Sequence, residues 1–317
     1  MQSLVTRSAA PDELVLEAVP PEIDRGEAGL EAAVERIADV HAALGVDAVN
    51  IPEIHEETAK SRRGERRRPF LPRVAPRELA ARIQARLDIP CIINRVVVHH
   101  ERERQLDWFR ETWERFGIRR FVLVGGEHSD VRYPGPSVLE ANALLRDHLA
   151  IPGAEIGNVC IPSRPGEAER LLRKRHAGAT FFTTQVLFHA EEVTSLLDAL
   201  AEHLDDDTPA PALLLSLAPV RSPRNIRFLR WLGVTLSSEL EAWLTEDEAA
   251  VTERSLTHLH AMWRHIVDHA ITRQSPCSLG VNLAPIGRIP SETTVALGQA
   301  LRDDALHLPP QFGHPQV

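Results

Sequence analysis

Cysteine is scarce in this sequence: Cys91, Cys160 and Cys277 are the only three, far apart and with no Cys-x-x-Cys pair. They read as small buried residues in a reducing cytoplasm, which sets the expected location. Aromatics are scarce too, 5% of the chain with one tyrosine, so the core has to be built mostly from Leu, Val, Ile and Ala. No apolar run is longer than a strand, so nothing reads as a membrane span. The N-terminal MQSLVTRSAAPDE lacks the long apolar region of a signal peptide. Basic residues are outnumbered, and the net charge of −9 argues against nucleic acid or an anionic membrane as the main partner. A glycine-rich phosphate loop is missing as well. Pro20-Pro21 stand after the first strand, where a doubly wound dinucleotide fold would carry Gly-x-Gly-x-x-Gly.

What is present is an alternation of short apolar runs with longer amphipathic ones. The strand-like runs are Leu14–Val19, Ala48–Ile51, Cys91–Val98, Arg120–Val124, Glu155–Ile161, Thr180–Phe188, Ala212–Ala218 and Ser278–Leu283. Helical patterns lie near Leu30–Leu44, Pro76–Leu87, Glu103–Phe116, Ser137–Leu149, Glu167–His176, Ala190–His203 and Asn225–Trp231. A longer one covers Ser238–Arg273, and a last one runs near Ser291–Arg302. Near-continuous apolar strands separated by helices indicate a parallel sheet covered by helices. Eight such units predict an α/β fold, a (β/α)8 TIM barrel, over the 317 residues as a single domain. The barrel spans roughly 12–303, with 304–317, which holds three prolines, as a C-terminal tail.

Barrel sites lie at the C-terminal ends of the strands. The polar residues expected there are Glu17, Glu53, Arg95, Glu127, His128, Arg164, Gln185, Arg221 and Arg288. Carboxylates, an amide and guanidiniums with no metal-ligand set favour binding of a polar heterocycle and anionic groups. Glu17 is the most unusual of them. It interrupts the apolar strand LVLEAV, where a charge is costly unless it is paired or neutralised. It is therefore a candidate acid with a raised pKa, the alternative being a solvent-facing residue of an edge strand.

Five segments in order also resemble the methylenetetrahydrofolate reductase family. LEAVPPEIDRG resembles its first strand, where a Glu precedes a Pro pair. GIRRFVLVGGEHS, Gly117–Ser129, resembles its GIR-strand-RGD segment. LRKRHAGATFFTTQVLFH, Leu172–His189, resembles its RKxxAGA…TQxFFD segment and is the most specific match. LAPVRS, Leu217–Ser222, resembles its strand-7 turn, and Gly64–Arg66 sits where the family has a Gly-x-Arg-rich loop. The resemblance covers roughly 12–302. It implies a cytoplasmic oxidoreductase that reduces 5,10-methylenetetrahydrofolate to 5-methyltetrahydrofolate with NAD(P)H as hydride donor. Its partners would be folate and nicotinamide small molecules, and the chain would be a monomer or homo-oligomer. The alternative is a non-catalytic folate-binding or regulatory paralogue of the same barrel.

Residue by residue, the resemblance implies Glu17 as the general acid, Glu127 in place of the family's Asp and Gln185 as the pterin-reading amide. Arg288, after the eighth strand, is a further substrate-contact candidate. Gly126, His128, Arg164, Arg173 and Lys174 fall at cofactor-binding positions, with FAD as the family's cofactor. Several positions depart from the family: Pro52 replaces a hydroxyl residue, Gly125-Gly126 an Arg-Gly, Arg164 a His and Pro223 an aromatic. These changes weaken the flavin site more than the folate site, and some actinobacterial members of the broader family are similarly divergent.

Two further features carry charge. SRRGERRRP, at 61–69, holds five arginines in nine residues after the second strand. It reads as a solvated loop, or as a contact for a folate glutamate tail or dinucleotide phosphate. His258, His265 and His269 share a helix stripe that reads as a polar face or subunit contact rather than a metal site. His99-His100 read as loop residues.

Overall fold

The first apolar run, LVLE, forms strand β1, Leu14–Glu17. The others follow as β2, Ala48–Pro52, β3, Cys91–Val96, β4, Arg120–Val124, β5, Glu155–Cys160, β6, Phe181–Thr184, β7, Ala212–Leu217, and β8, Ser278–Leu283. In this computed structural model, which describes residues 10–56, 60–61, 64–65, 70–126, 131–204 and 210–303, the eight strands pair in parallel and in sequence order. β1 closes the barrel against β8. The fold is the expected (β/α)8 barrel. Residues 60–61 and 64–65 add a short antiparallel pair after β2.

Helices return between strands: α1, Gly26–Leu44, α2, Pro76–Leu87, α3, Arg102–Phe116, α4, Val138–Ala143, α5, Glu167–His176, and α6, Ala190–Ala201. They continue as α7, Pro223–Trp231, α8, Ser238–Thr245, α9, Val251–Thr272, and α10, Ser291–Arg302. No helix among the described residues is long and apolar enough to cross a membrane.

Two faces of each strand are buried, which is why the strands read as continuous apolar runs. Leu16, Val49, Ile93, Phe121 and Leu215 pack outward under the helices. Val15, Ala48, Ile92, Val122, Phe181 and Leu214 fill the barrel interior. Gly157 makes room for the largest of these: a Cβ there would lie 2.4 Å from the Phe181 ring. Below that layer, Arg120 closes the floor with ion pairs to Glu13 at 2.6 Å and Glu155 at 3.0 Å. The three cysteines are buried and form no disulfide with one another, and burial pushes the Cys91 and Cys160 thiols up to about 12.

Three elements differ from expectation. The long helix over Ser238–Arg273 is broken into α8, a 3-10 turn at Glu248–Ala250 and α9. Asp247 causes the restart by accepting a hydrogen bond from Ala249 N at 3.0 Å. The helix over Ser137–Leu149 starts with a Ser137/Glu140 capping box and loosens into a π turn at Leu144–Leu149. The strand over Thr180–Phe188 keeps only Phe181–Thr184, because the Gln185 side chain accepts from Val186 N at 3.3 Å and takes that amide out of the ladder.

Candidate functional site

Side chains alternate along a strand, so Glu17 shares the inward face of β1 with Val15 and stands at its C-terminal end. Asn50 of β2 lies directly across from it, and Asn282 of β8 pairs with Val15 on the other side. Both amides donate to the same carboxyl oxygen, Glu17 Oε2: Asn50 Nδ2 at 3.4 Å and Asn282 Nδ2 at 3.1 Å. Asn282 Nδ2 also reaches Ser216 Oγ of β7 at 3.1 Å, and Thr183 Oγ1 of β6 lies 3.4 Å from that hydroxyl. One polar layer thus runs across five adjacent strands above the apolar plug.

Glu17 sits deep among these groups while part of its surface still reaches the mouth. Burial raises its pKa above the ordinary carboxyl value, and the two amide hydrogen bonds, which pull the other way, do not cancel that. No cationic partner is among the causes. The arrangement can supply a proton at a pH where an ordinary carboxyl has lost it.

Other expected positions are placed differently. Arg95 points outward from β3 rather than into the mouth. It is buried, pairs with Glu53 and donates from Nε to Gln105 Oε1 of α3 at 3.1 Å. The parity of the strand explains this: Ile92 and Asn94 face in, so Arg95 faces out. Beside the pair, a cavity of about 540 Å³ lies between the loop after β2 and helices α2 and α3, bounded by Glu53, His55, Arg73 and Trp108. Glu17 does not line it. His55 and His99 meet at 4.6 Å between ring centroids, and His99 meets Tyr133 edge-on at 5.6 Å, joining three loops at the rim. Gly126 packs flat under this group, since a Cβ there would be 2.2 Å from the Tyr133 ring.

Gln185 ties down a loop: Nε2 donates to Leu232 O at 3.3 Å. Arg288 is exposed, and its carbonyl accepts from Arg221 Nη1 at 2.9 Å, which links the loops after β7 and β8. Arg164 is exposed at the start of α5, 3.8 Å from the buried Glu167. Arg173 and Lys174 lie in the last turn of α5, the end that leads back to the start of β6. There Arg173 is exposed, and Lys174 donates to Val159 O at 2.6 Å beside Glu167. Helices run back against the strands, so the backbone of that turn lies away from the mouth. The Lys174 ammonium nevertheless reaches up to the end of β5, where Glu167 Oε1 also accepts from Ile161 N and Arg164 lies 3.8 Å from Oε2. Arg164 and Lys174 therefore flank the one carboxylate of Glu167, which takes up their charge, and exposed Arg173 stands apart from them, which does not make a flavin-phosphate cradle. Glu127, His128 and the five arginines of 61–69 lie outside the described residues. His258 contacts Phe188 O at 2.8 Å and His269 pairs with Asp198 at 3.0 Å, both holding α9 to its neighbours.

Sequence reasoning missed Asn50, Thr183, Ser216 and Asn282. The signal was available: AVNIP, FFTT, ALLLSL and SLGVNL each place a polar residue near the end of an otherwise apolar strand.

No protein-family model matches the chain, and no curated protein matches it. Among solved structures, an uncharacterized protein from Clostridium thermocellum that binds two copies of 5-methyl-5,6,7,8-tetrahydrofolic acid matches with a TM-score of 0.72. The match covers 92% of this chain and 96% of that one at 18% identity. The phosphoribosylanthranilate isomerase of Pyrococcus furiosus (TM-score 0.44, 10% identity, 92% and 98% covered) stands much further off. So does the dihydropteroate synthase of Xanthomonas albilineans (0.43, 16%, 93% and 94%). At 18% identity the first likeness shows the fold, and the other two carry no argument.

Proposed function

We propose that the barrel mouth binds a reduced folate and that the protein reduces 5,10-methylenetetrahydrofolate to 5-methyltetrahydrofolate with NAD(P)H. The observation that carries this reading is Glu17, a desolvated carboxyl with a raised pKa, held by Asn50 and Asn282 at the end of β1. The reaction needs an acid that keeps its proton near neutrality. Glu17 gives that proton to a bridging nitrogen, one C–N bond of the five-membered ring breaks, and the carbon left on the other nitrogen accepts hydride. The folate ligand of the Clostridium thermocellum barrel supports the substrate class. Gln185, Glu127 and Arg288 are the proposed substrate contacts, Gln185 after releasing Leu232.

The engagement of Arg164 and Lys174 by Glu167, with Arg173 apart from them, disfavours a bound flavin, so hydride passes directly from the nicotinamide and both ligands share the mouth. The same engagement favours a second reading, a folate-binding protein without turnover. A steady-state assay with 5,10-methylenetetrahydrofolate and NADH or NADPH tests the proposal. Oxidation of the nicotinamide that depends on the folate supports the reductase. Binding of 5-methyltetrahydrofolate with no turnover selects the second reading, and binding of neither rejects both.

A further inference from the structure

Asn50 and Asn282 each use only one end of the amide. Their Nδ2 groups go to Glu17 Oε2, while their Oδ1 atoms are buried and accept no hydrogen bond from any described residue. The two residues are 2% and 1% exposed. Buried carbonyls are rarely left without a donor, so these two need an explanation. Turning either amide would not remove the problem. With the carboxyl proton on Oε1, it would aim a carbonyl at Oε2 and exchange a hydrogen bond for contact between two acceptors. The carboxyl thus sets the orientation of both amides, and one acceptor flanks it on each side, from β2 and from β8. Two donors on Oε2 also leave Oε1, which takes no hydrogen bond from a described residue, as the oxygen that carries the proton.

We infer that Asn50 and Asn282 form a clamp that keeps the acidic proton on Glu17 Oε1 and presents two carbonyl acceptors to N–H groups a ligand brings beside it. The inference rests on the folate reading, where the group that the reaction creates is N10–H; N5 carries the one-carbon unit throughout, and both N5–H and N10–H are present only in tetrahydrofolate. In the closed 5,10-methylene ring neither nitrogen bears hydrogen. When the proton passes from Oε1 to N10, the breaking C–N10 bond leaves its electron pair on that nitrogen and an N10–H appears. The new donor meets a carbonyl that previously had none, so the clamp binds the opened ring better than the closed one.

The test compares dissociation constants for tetrahydrofolate, which has hydrogen on N5 and N10, and 5,10-dideazatetrahydrofolate, which has carbon at both and the same pyrimidinone edge and tail. Wild-type protein should bind the dideaza compound about 10- to 100-fold more weakly, the range for a buried acceptor left unpaired. In Asn50→Ala and Asn282→Ala the ratio should fall toward one. The limb of the kcat profile that falls with rising pH should also move to higher pH, because a donor that lowers the Glu17 pKa is gone. Equal wild-type affinities for the two compounds would overturn the clamp and leave the folate reading intact. Wild-type binding of neither would remove the folate reading and the clamp with it. The wild-type ratio decides on its own if a variant does not fold, as judged by circular dichroism.

Discussion

Arg95 and Glu53 form an ion pair behind the barrel wall, not in the mouth that their sequence positions suggest. Arg95 lies with its guanidinium 4.2 Å from the centre of the Trp108 ring, and Glu53 Oε2 accepts from Val96 N at 3.0 Å and lies 3.1 Å from His55 Nε2. The pair therefore fastens the loop after β2 to β3 and α3, next to the 540 Å³ cavity.

Removing one partner should expose how much depends on it. The side chains are 4% and 14% exposed, so Glu53→Ala leaves a buried guanidinium without its counter-charge. The expected loss is about 3–5 kcal/mol, read as a lower urea midpoint. Burial raises the Glu53 pKa, but the His55 hydrogen bond, the Arg95 charge and the Val96 amide outweigh it and hold the carboxyl below 4.5. The contribution is then complete above that value and lost as pH falls through the lowered one. The gap between wild type and Glu53→Ala should narrow in acid; a gap that stays constant there would contradict the assignment.

Most of the barrel was legible because parallel strands buried on both faces have to be apolar throughout, and the helices between them have to be amphipathic. Glu17 was legible for the same reason, as a charge that does not belong in LVLE. Arg95 was misplaced because proximity to a strand end says nothing about which face a residue takes; counting by twos from Ile92 would have turned it outward. Lys174 sits in the last turn of α5, yet its ammonium reaches Val159 O and Glu167 of the first turn, a pairing that its place along the helix does not reveal. Asn50 and Asn282 went unnoticed because an amide inside a strand looks like ordinary polarity until a neighbouring carboxyl is seen to accept from it.

Gly157 tests the plug. In Gly157→Ala the new methyl would meet the Phe181 ring at 2.4–2.8 Å, and Phe181 lies over the Arg120 guanidinium, 5.3 Å from its ring centre. The ring cannot move down without disturbing the Glu13–Arg120–Glu155 floor. Overpacking of this kind costs about 1–3 kcal/mol. Thermal unfolding should show a lower midpoint, and an unchanged midpoint would mean that the barrel interior is loosely filled.

Flavin content gives a third test. Lys174 is engaged by Val159 O and Glu167, and Arg173 lies at the far end of α5. Protein purified without added flavin should therefore be colourless, and its kinetics should be sequential because both substrates must be present together. Stoichiometric FAD in the purified protein, or ping-pong kinetics, would contradict this reading.

Glu17→Gln separates chemistry from folding. Gln keeps the shape of the side chain in the strand, but it has no proton to give in the step that opens the ring. General acid catalysis contributes about 10²–10⁴ in rate, and kcat should fall by that much with ligand affinity nearly unchanged. Stability should move the other way. Because burial raises the Glu17 pKa, the folded protein holds a proton that the unfolded chain has released, and stability is lost as pH rises from 4.5 through the raised value. Gln carries no such cost, so the variant should melt at or above the wild-type temperature at neutral pH, with the advantage disappearing below 4.5. The wild-type kcat should fall as pH rises through the same raised value, since the acid must be protonated to act. A variant that kept more than about a tenth of wild-type kcat, well short of that acid–base contribution, would show that Glu17 is not the acid.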